Sequence, residues 1–187
     1  MCAQGTKELV HYLATLTSLL FLNLGGNTLG SEGAREMAPR IAHLACLQSL
    51  RLDSIGAEGA CALAPHLSTL LALKFLGLRN NNIGSEGATA LGPRLANLTS
   101  LGILNLENCS IGSNGAAALA PHLAALCYLQ ALHLRWNLIR SDGVRVLGRH
   151  LKHLQFLTYL DLKYNYEFDS EAENELQSVL PTVWLLV

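Results

Sequence analysis

Leucine recurs along this chain at a nearly constant interval, and that period constrains the fold more than any other feature. One phrase, Leu-x-x-Leu-x-Leu-x-x-Asn-x-Leu, starts six times, with successive starts 28, 26, 28, 28 and 28 residues apart. The six starts are Leu19, Leu47, Leu73, Leu101, Leu129 and Leu157. A period of this size means that one supersecondary unit is stacked on copies of itself and buries its apolar face against them.

Each repeat has the pattern of a strand followed by a helix. In the third repeat Leu76 and Leu78 alternate with outward-facing residues, and apolar residues at helical spacing follow Ser85, a good helix N-cap. Consecutive parallel strands joined by helices have right-handed crossovers. The sequence therefore predicts an α/β fold: a right-handed open solenoid with the shape of a horseshoe arc, a parallel inner sheet and outer helices.

A polar residue follows each predicted strand at one fixed place. An asparagine there can bond backbone groups of its own turn and of the neighbouring turn that would otherwise be buried unpaired. We predict that this position forms a structural ladder through the stack, with a cysteine replacing asparagine in the fourth repeat. Its members are Asn27, Asn81, Cys109, Asn137 and Asn165.

Prolines interrupt four of the predicted helices. A proline inside a helix removes a backbone hydrogen bond and clashes with the preceding turn. We therefore expect a kink or a short break at Pro39, Pro65, Pro93 and Pro121.

The whole chain, 1–187, is predicted to be one domain. Residues 7–18 match only the end of a repeat, which predicts an N-terminal capping helix. Residues 181–187 form an apolar tail that we expect to be packed rather than free, because it would otherwise expose a contiguous apolar patch. The second repeat lacks two residues between Leu52 and Ile55, including the ladder position, so we expect it to be the weak point of the stack.

Composition excludes several classes of function. Half of the 187 residues are hydrophobic, and the net charge of -1 gives no electrostatic footprint for nucleic acid. No apolar run approaches the ~18 residues of a membrane span, and the first residues lack the apolar stretch of a secretory signal. Five cysteines, an odd number without a Cys-x-x-Cys pair, indicate free thiols in a reducing compartment. We therefore expect a cytoplasmic protein.

The phrase from Leu76 through Asn81 and Ile83 to Leu91 resembles the leucine-rich repeat, and the 28-residue period with a full helix resembles its ribonuclease-inhibitor-like subclass. That subclass includes ribonuclease inhibitor, Ran GTPase-activating proteins and the sensing domains of NOD-like receptors. The resemblance implies protein binding but no single activity. The chain departs from ribonuclease inhibitor in the Ala-Pro-His-Leu version of its helix and in its lower cysteine content.

The outward strand positions define three columns on the predicted concave face. Aromatic residues and arginines at an accessible surface are typical interface anchors. We predict that the protein-binding residues are Phe75, Arg79, Glu107, His133, Arg135, Trp136, Tyr159, Asp161, Lys163 and Tyr164. An alternative is that Asp53, Arg79, Glu107 and Arg135, which alternate in sign, simply pair as an exposed charge ladder.

Other clusters give weaker signals. A column of Arg and His runs along the helices and comprises Arg40, His66, Arg94, His122 and His150. It could meet an acidic partner, but a solvated helix face is the interpretation that we favour. His150 and His153 share a helix face but lack a third metal ligand, so we expect no metal site. Cys109 and His133 lie in adjacent repeats, yet Cys109 occupies a buried ladder position, and we expect no catalytic residue and no cofactor.

The sequence thus favours a non-catalytic scaffold or recognition module that binds a protein partner of unknown identity on its concave face. One alternative is a regulator of a partner enzyme, such as a GTPase activator, with Arg79 and Asn80 as the nearest candidates for the acting residues. A second alternative is a structural protein that self-associates through 182–187.

Overall fold

The protein was analysed as a computed structural model that describes residues 3–187, with side chains from Glu8 onward. Within that part of the chain, seven helices alternate with seven three-residue strands. The helices are α1 Ala3–Leu13, α2 Gly30–Ile41, α3 Gly56–Leu67, α4 Gly84–Leu95, α5 Gly112–Leu123, α6 Ser141–Leu151 and α7 Ser170–Val179. The strands are β1 Phe21–Asn23, β2 Ser49–Arg51, β3 Phe75–Gly77, β4 Ile103–Asn105, β5 Ala131–His133, β6 Tyr159–Asp161 and β7 Trp184–Leu186.

The strands form one parallel sheet in chain order, and each helix packs on the next. The central residue of each strand from β2 to β6, such as Leu76 or Leu104, points inward and is fully buried between the sheet and the helices. Equivalent leucines pair across neighbouring strands, as Leu76 does with Leu104. These features define an open α/β leucine-rich-repeat solenoid with one continuous core, as the sequence predicted.

The helices pack closely because small residues lie where they meet. A Cβ on Gly115, in the first turn of α5, would lie only 2.6 Å from Ile111 Cγ2 and 3.1 Å from Ser85 Cα in the preceding helix. Alanine would therefore clash with both its own repeat and its neighbour. Such close packing of successive helices leaves no gap for solvent in the core.

The prolines do not break the helices. Helices α2 to α5 continue past Pro39, Pro65, Pro93 and Pro121 to end at a buried isoleucine or leucine two residues later. All four proline rings are exposed, so they lie on the solvent face of the helix. Because the lost hydrogen bond is on that face, the helix can continue while its apolar side stays packed. Of the two expected outcomes, a short break is therefore excluded at these positions, and a kink stays a prediction.

The serines expected to cap the helices do not do so. In α2, α4 and α5 the helix begins one residue earlier, at Gly30, Gly84 and Gly112, and no side chain caps it. Ser113 Oγ instead donates to Asp142 Oδ1 at 2.7 Å and accepts from the backbone N–H of Arg140. The hydroxyl thus links neighbouring repeats rather than closing its own helix.

The ladder position connects each repeat to the one before it. Asn137 is fully buried; its Oδ1 accepts from the backbone N–H groups of Cys109 and Ile111, and its Nδ2 donates to the carbonyl of Leu106 at 2.7 Å. Asn81 and Asn165 make equivalent bonds to their preceding repeats. These side chains supply hydrogen bonds that the short strands do not provide.

Cysteine at position 109 takes over part of this role. Its Sγ donates to the carbonyl of Leu78 at 2.9 Å. Burial raises the pKa of the Cys109 thiol to about 12, and the nearby Asp53 and Glu107 carboxylates act in the same direction, while a backbone hydrogen bond from Asn81 opposes them. The sulfur therefore keeps its proton at neutral pH and can act as a hydrogen-bond donor.

The shortened second repeat uses a different side chain in its turn. Asp53 is buried, and its Oδ2 accepts from the backbone N–H of Gly26 at 3.0 Å. The backbone N–H of Ile55 donates to Asn81 Oδ1 from the next repeat. The turn is therefore tied to both neighbours, although Asp53 Oδ1 has no hydrogen-bond partner.

The C-terminal apolar segment includes a strand. Trp184–Leu186 pairs in parallel with β6, and Val183 and Leu185 pack against the core. The side chain of Trp184 is exposed on the same side of the sheet as Tyr159. No helix in the described part of the chain is long and apolar enough to cross a membrane.

Candidate protein-binding surface

The strand register aligns the outward side chains into columns. The first column is Phe21, Ser49, Phe75, Ile103, Ala131, Tyr159 and Trp184, and the second is Asn23, Arg51, Gly77, Asn105, His133, Asp161 and Leu186. The third strand residue is followed by two further positions that lead off the sheet, so the side chains after each strand lie at one common edge, here called the loop edge. Most of the sequence-predicted binding residues lie in the fifth and sixth repeats.

Five of the predicted residues form a connected cluster on β5 and β6. The rings of His133 and Tyr159 lie 5.0 Å apart, and Tyr159 Oη donates weakly, at 3.4 Å, to Asp161 Oδ2. Asp161 is buried and its Oδ1 accepts from the backbone N–H of Lys163. Arg135 is close enough to influence the ionisation of Tyr159. These contacts hold the side chains of two neighbouring repeats in one arrangement.

Burial and charge shift the ionisation of this cluster. Partial burial lowers the pKa of His133, against the opposite pull of the Asp161 and Glu107 carboxylates. Burial also raises the pKa of Tyr159, and Asp161 adds to that effect. At neutral pH the cluster therefore presents a neutral imidazole and a neutral phenol beside a buried carboxylate.

Trp136 and Tyr164 form a second aromatic group at the loop edge. Their rings are stacked, with centroids 4.6 Å apart and planes 9° from parallel, and both side chains are about half exposed, at 49% and 55%. The guanidinium of Arg135 lies 4.4 Å from the centre of the Tyr164 ring. The result is a rigid aromatic surface that carries a positive charge.

The backbone beneath both aromatics is left-handed. Trp136 has φ 59° and Tyr164 has φ 58°, a conformation that bulky L-residues rarely adopt. The equivalent residues of the other repeats are smaller and polar or lack a side chain: Gly26, Ser54, Asn80 and Asn108, all with positive φ. The fold therefore needs a residue that tolerates this conformation, and the last two repeats place exposed aromatic rings there instead.

Phe75 lies apart from this cluster, toward the N-terminal end of the sheet. Together with Phe21 and Arg51 it lines an open groove of about 380 Å³, and the Arg51 guanidinium lies 5.5 Å from the centre of the Phe75 ring. Arg79 is exposed on the loop beyond β3, and Glu107 is half-buried beyond β4. The predicted residues thus fall into an N-terminal groove, a middle pair and a C-terminal aromatic cluster.

The concave charges do not pair as a ladder. Among the residues that the structure describes, the ion pairs join Arg35 to Glu58, Arg145 to three carboxylates of α7 and its N-cap, and Arg149 to Glu175. None of them involves Asp53, Arg79, Glu107 or Arg135. The interpretation of these four residues as a self-neutralising ladder was wrong, since their side chains lie beyond ion-pair distance of one another.

The histidines and the buried cysteine that the sequence analysis considered lie apart from any metal-binding cluster of the described residues. No group of three His, Cys, Asp or Glu side chains in that part of the chain could hold a metal. His150 Nδ1 instead lies 2.9 Å from the carbonyl of Val146 in its own helix. The high thiol pKa of Cys109 leaves little thiolate for attack on a substrate.

Sequence reasoning missed three surface residues. Trp184 joins the first column because residues 184–186 form β7, which lacks the repeated leucine phrase. Its ring meets Tyr159 edge-on, with centroids 5.7 Å apart. Leu138 and Tyr166 are exposed two residues beyond Trp136 and Tyr164. The spacing alone could have placed these two beside the predicted aromatics.

Comparison with known proteins agrees with this architecture. The model of the family described as Leucine Rich repeat matches residues 15–38, 72–92, 97–120 and 125–148. No curated protein matches the chain significantly. The chain is a leucine-rich repeat protein.

Several solved structures are similar to this chain. The structure of a TLR13–ssRNA13 complex has 26% sequence identity to this chain and a TM-score of 0.54. The alignment covers 94% of this chain and 23% of the TLR13 chain. The leiomodin-1 actin-binding site 2 has 17% identity and a TM-score of 0.48 over 83% of this chain and 75% of its own. An internalin from Listeria monocytogenes has 21% identity and a TM-score of 0.43 over 93% of this chain and 62% of its own.

Proposed function

We propose that the protein is a non-catalytic recognition module that binds a protein partner on the concave face of its solenoid. The observation that carries this proposal is the left-handed backbone of Trp136 and Tyr164, two exposed and mutually stacked aromatics. A non-glycine residue in a sparsely populated backbone region costs about 1–3 kcal/mol. Because asparagine fills the same place in the preceding repeats, folding alone does not account for the aromatic rings.

The rest of the cluster supports a protein partner. Tyr, Trp and Arg are the residue types most enriched among energetically dominant interface positions. Arg135, Tyr159 and Trp184 flank the stacked pair or adjoin its neighbours on the same two repeats. Residues of both charge signs lie beside them, which suits the mixed chemistry of a protein surface better than a phosphate backbone.

The thiols support a reducing compartment. Cys46, Cys61, Cys109 and Cys127 are all free, and two of them are exposed. Free thiols persist where glutathione and thioredoxin keep cysteine reduced. The cytoplasm is therefore the compartment that we propose for binding.

Affinity capture tests the proposal with a matched pair of variants. Trp136→Asn/Tyr164→Asn restores the residue type found at Asn80 and Asn108 and removes both rings. The control is Tyr128→Asn/Phe156→Asn, which removes the other stacked and exposed ring pair, at 5.7 Å, from the opposite end of the same two strands. Both variants lose similar aromatic surface, so only their location differs.

We expect the first variant to lose at least about 30-fold in affinity for the captured partner, the effect of removing a hot spot worth about 2 kcal/mol. The control variant should capture the same partner as the unmodified chain. Equal capture by all three proteins, or equal loss in both variants, would contradict the proposal. Urea unfolding of each variant verifies that the fold is retained.

A further inference from the structure

The exposed aromatic surface does not stop at the concave face. Beyond Trp136 and Tyr164, the chain places Leu138 and Tyr166 at the loop edge, with 52% and 45% of their surfaces exposed. Each lies two residues further along its loop. Four large, exposed side chains thus lie in the two loops that follow β5 and β6, and we call these four residues together the loop-edge patch. Its members are Trp136, Leu138, Tyr164 and Tyr166.

Leu138 repeats the backbone anomaly seen at Trp136. Its φ is 60°, whereas the equivalent positions in the two preceding repeats are held by Asn82, at 44°, and Ser110, at 54°. Asparagine tolerates this conformation far better than leucine does. Leu138 gains little from the core in return, because half of its surface faces solvent. The loop edge thus carries two unfavourable placements of large side chains, at Trp136 and Leu138, within three residues.

Two arginines of the fifth repeat place their guanidinium groups over tyrosine rings of the sixth. The Arg135 guanidinium is 4.4 Å from the Tyr164 ring centre, and the Arg140 guanidinium is 4.2 Å from that of Tyr166. Among the described residues, neither arginine has a carboxylate within ion-pair distance. Arg145, on the outer face of the same repeat, contacts three of them.

This arrangement prepares the two guanidiniums for an external carboxylate. A guanidinium that stacks on a ring keeps its in-plane N–H donors free for bidentate hydrogen bonds. Stacking also fixes the side chain, so less conformational entropy is lost on binding.

An open groove of about 410 Å³ adjoins the patch and continues along the loop edge into the preceding repeats. It is lined by Ser85, Ser110, Ser113, Asn114, Leu138 and Arg140, among others. Asp142 also lines it, but its carboxylate already accepts from Ser113 Oγ, and this bond lowers the pKa of Asp142. The groove is therefore lined by hydroxyl and amide groups together with Leu138 and Arg140 of the fifth repeat.

We propose that the loop-edge patch binds a short extended segment of a partner protein in which Asp or Glu residues are flanked by large apolar side chains. The apolar side chains contact Trp136, Leu138, Tyr164 and Tyr166, and the carboxylates pair with Arg135 and Arg140. This inference rests on the proposed function, since it names the chemistry of the partner at the C-terminal end of the same surface.

A second copy of this chain is a poorer occupant. The acidic helix α7 is the obvious source of carboxylates in such a copy. Its Glu171 and Glu175, and Asp169 at its N-cap, already pair with Arg145 or Arg149 of the same chain. Seating these three residues on another copy would require their pairs to separate first, which leaves Glu173 as the one glutamate of α7 outside the ion pairs of the described residues.

Selection from a library of random dodecapeptides displayed on phage tests the proposal without presupposing the partner. The target is the intact chain, and each round is counter-selected against Leu138→Asn/Tyr166→Asn. We expect the recovered peptides to combine Asp or Glu with Phe, Leu, Tyr or Trp. Recovery of basic or uncharged peptides, or of none above background, would overturn the proposal.

Fluorescence anisotropy with the most enriched peptide then locates its site. Arg140→Gln alone, and Arg135→Gln/Arg140→Gln, should each weaken binding about tenfold or more, while Arg40→Gln/Arg94→Gln on the helices should leave it unchanged. Arg140 is exposed, so its single substitution keeps the test valid if the double variant unfolds. Unchanged binding by the Arg140 variant would refute the assignment.

Two further measurements test whether a second copy of the chain or a nucleic acid binds the loop-edge patch instead of a peptide. Light scattering over a range of concentrations detects self-association, and a single-stranded homopolymeric RNA tests the nucleic-acid alternative. Binding of either kind that is lost in Leu138→Asn/Tyr166→Asn would overturn the peptide assignment. If peptide selection fails but Trp136→Asn/Tyr164→Asn still abolishes partner capture, the concave-face proposal stands alone. Peptide binding that is lost in Leu138→Asn/Tyr166→Asn but retained in Trp136→Asn/Tyr164→Asn would overturn the assignment of Trp136 and Tyr164 to the patch.

Discussion

The repeats that contain β3 and β4 and those that contain β5 and β6 solve the same backbone problem with different side chains. In the first pair, the left-handed position after the strand holds Asn80 and Asn108, and Asn108 Nδ2 donates to Asn80 Oδ1 at 3.0 Å. In the second pair it holds Trp136 and Tyr164, whose rings stack. Both arrangements tie neighbouring repeats together, so the solenoid does not require the aromatic version.

This difference distinguishes the residue types that the fold requires from those that it only tolerates. The fold requires a residue with a left-handed backbone after the strand, followed by a buried polar side chain at the ladder position. Asparagine meets the first requirement with little strain, because it visits the left-handed region more readily than large residues do. Aromatic rings at that position are a departure that must be explained by something outside the fold, and binding is the explanation that we propose.

The largest expected effect on stability is at the ladder position, where the repeat of β4 has Cys109 and the repeat of β5 has Asn137. Asn137→Ala should lower the free energy of unfolding by about 3 kcal/mol or more. The substitution leaves the N–H groups of Cys109 and Ile111 and the carbonyl of Leu106 buried without their partner. Each unsatisfied buried group costs about 1–3 kcal/mol. Urea unfolding monitored by circular dichroism measures the change.

The matched control is Cys109→Ala in the preceding repeat. The thiol donates one good hydrogen bond, to the carbonyl of Leu78, so its loss together with the small cavity should cost roughly 1–2 kcal/mol. Comparable losses in the two variants would show that asparagine and cysteine support the stack equally.

The next largest effect tests the cost of the aromatic placement. Asn80→Trp/Asn108→Tyr moves the stacked pair into the repeats of β3 and β4, and should destabilise the protein by about 1–2 kcal/mol. Two bulky residues enter the left-handed region, and ring stacking offsets the strain only in part. If thermal unfolding shows that the double variant is as stable as the unmodified protein, aromatic residues carry no energetic cost at this position. The structural case for binding through Trp136 and Tyr164 then fails.

Much of this architecture could be predicted from the leucine period, because a constant spacing fixes both the strand positions and their register. Leu76 pairs with Leu104 for this reason, and Phe75 pairs with Ile103. The binding role of the predicted concave residues remains a prediction.

Other features follow from three-dimensional packing that spacing does not encode. The seventh strand lacks the repeated phrase, and the helices continue through Pro39 because its ring faces solvent. The stack of Trp136 on Tyr164 depends on a left-handed backbone, which the sequence does not specify when the residue is aromatic.

A smaller effect of opposite sign is expected at Leu138. Leu138→Asn, which copies Asn82, should raise the free energy of unfolding by about 0.5–1 kcal/mol, because asparagine relieves backbone strain while little buried surface is lost. Leu71→Asn is the control, since Leu71 is similarly exposed but is not among the residues with positive φ. Equal shifts of the urea midpoint in the two variants would show that the left-handed backbone at Leu138 carries no strain.

The smallest expected effect is the pH dependence that His133 of β5 gives to the free energy of unfolding. His133 and the equivalent Asn105 of β4 occupy the same column, but only His133 titrates. Burial lowers the pKa of His133 in the folded protein, outweighing the attraction of Asp161 and Glu107, so the unfolded chain binds a proton more readily. The contribution of His133 to stability is therefore complete above its pKa in the unfolded chain, about 6.5. It is lost as the pH falls through the lower pKa of His133 in the folded protein.

In His133→Asn the free energy of unfolding should fall less steeply between about pH 7.5 and pH 5.5 than in the unmodified protein. Tyr159 stays neutral throughout this range, because its pKa is raised above the ordinary phenol value, so it does not obscure the comparison. Parallel slopes for the two proteins would mean that the ring of His133 is protonated as easily in the fold as outside it.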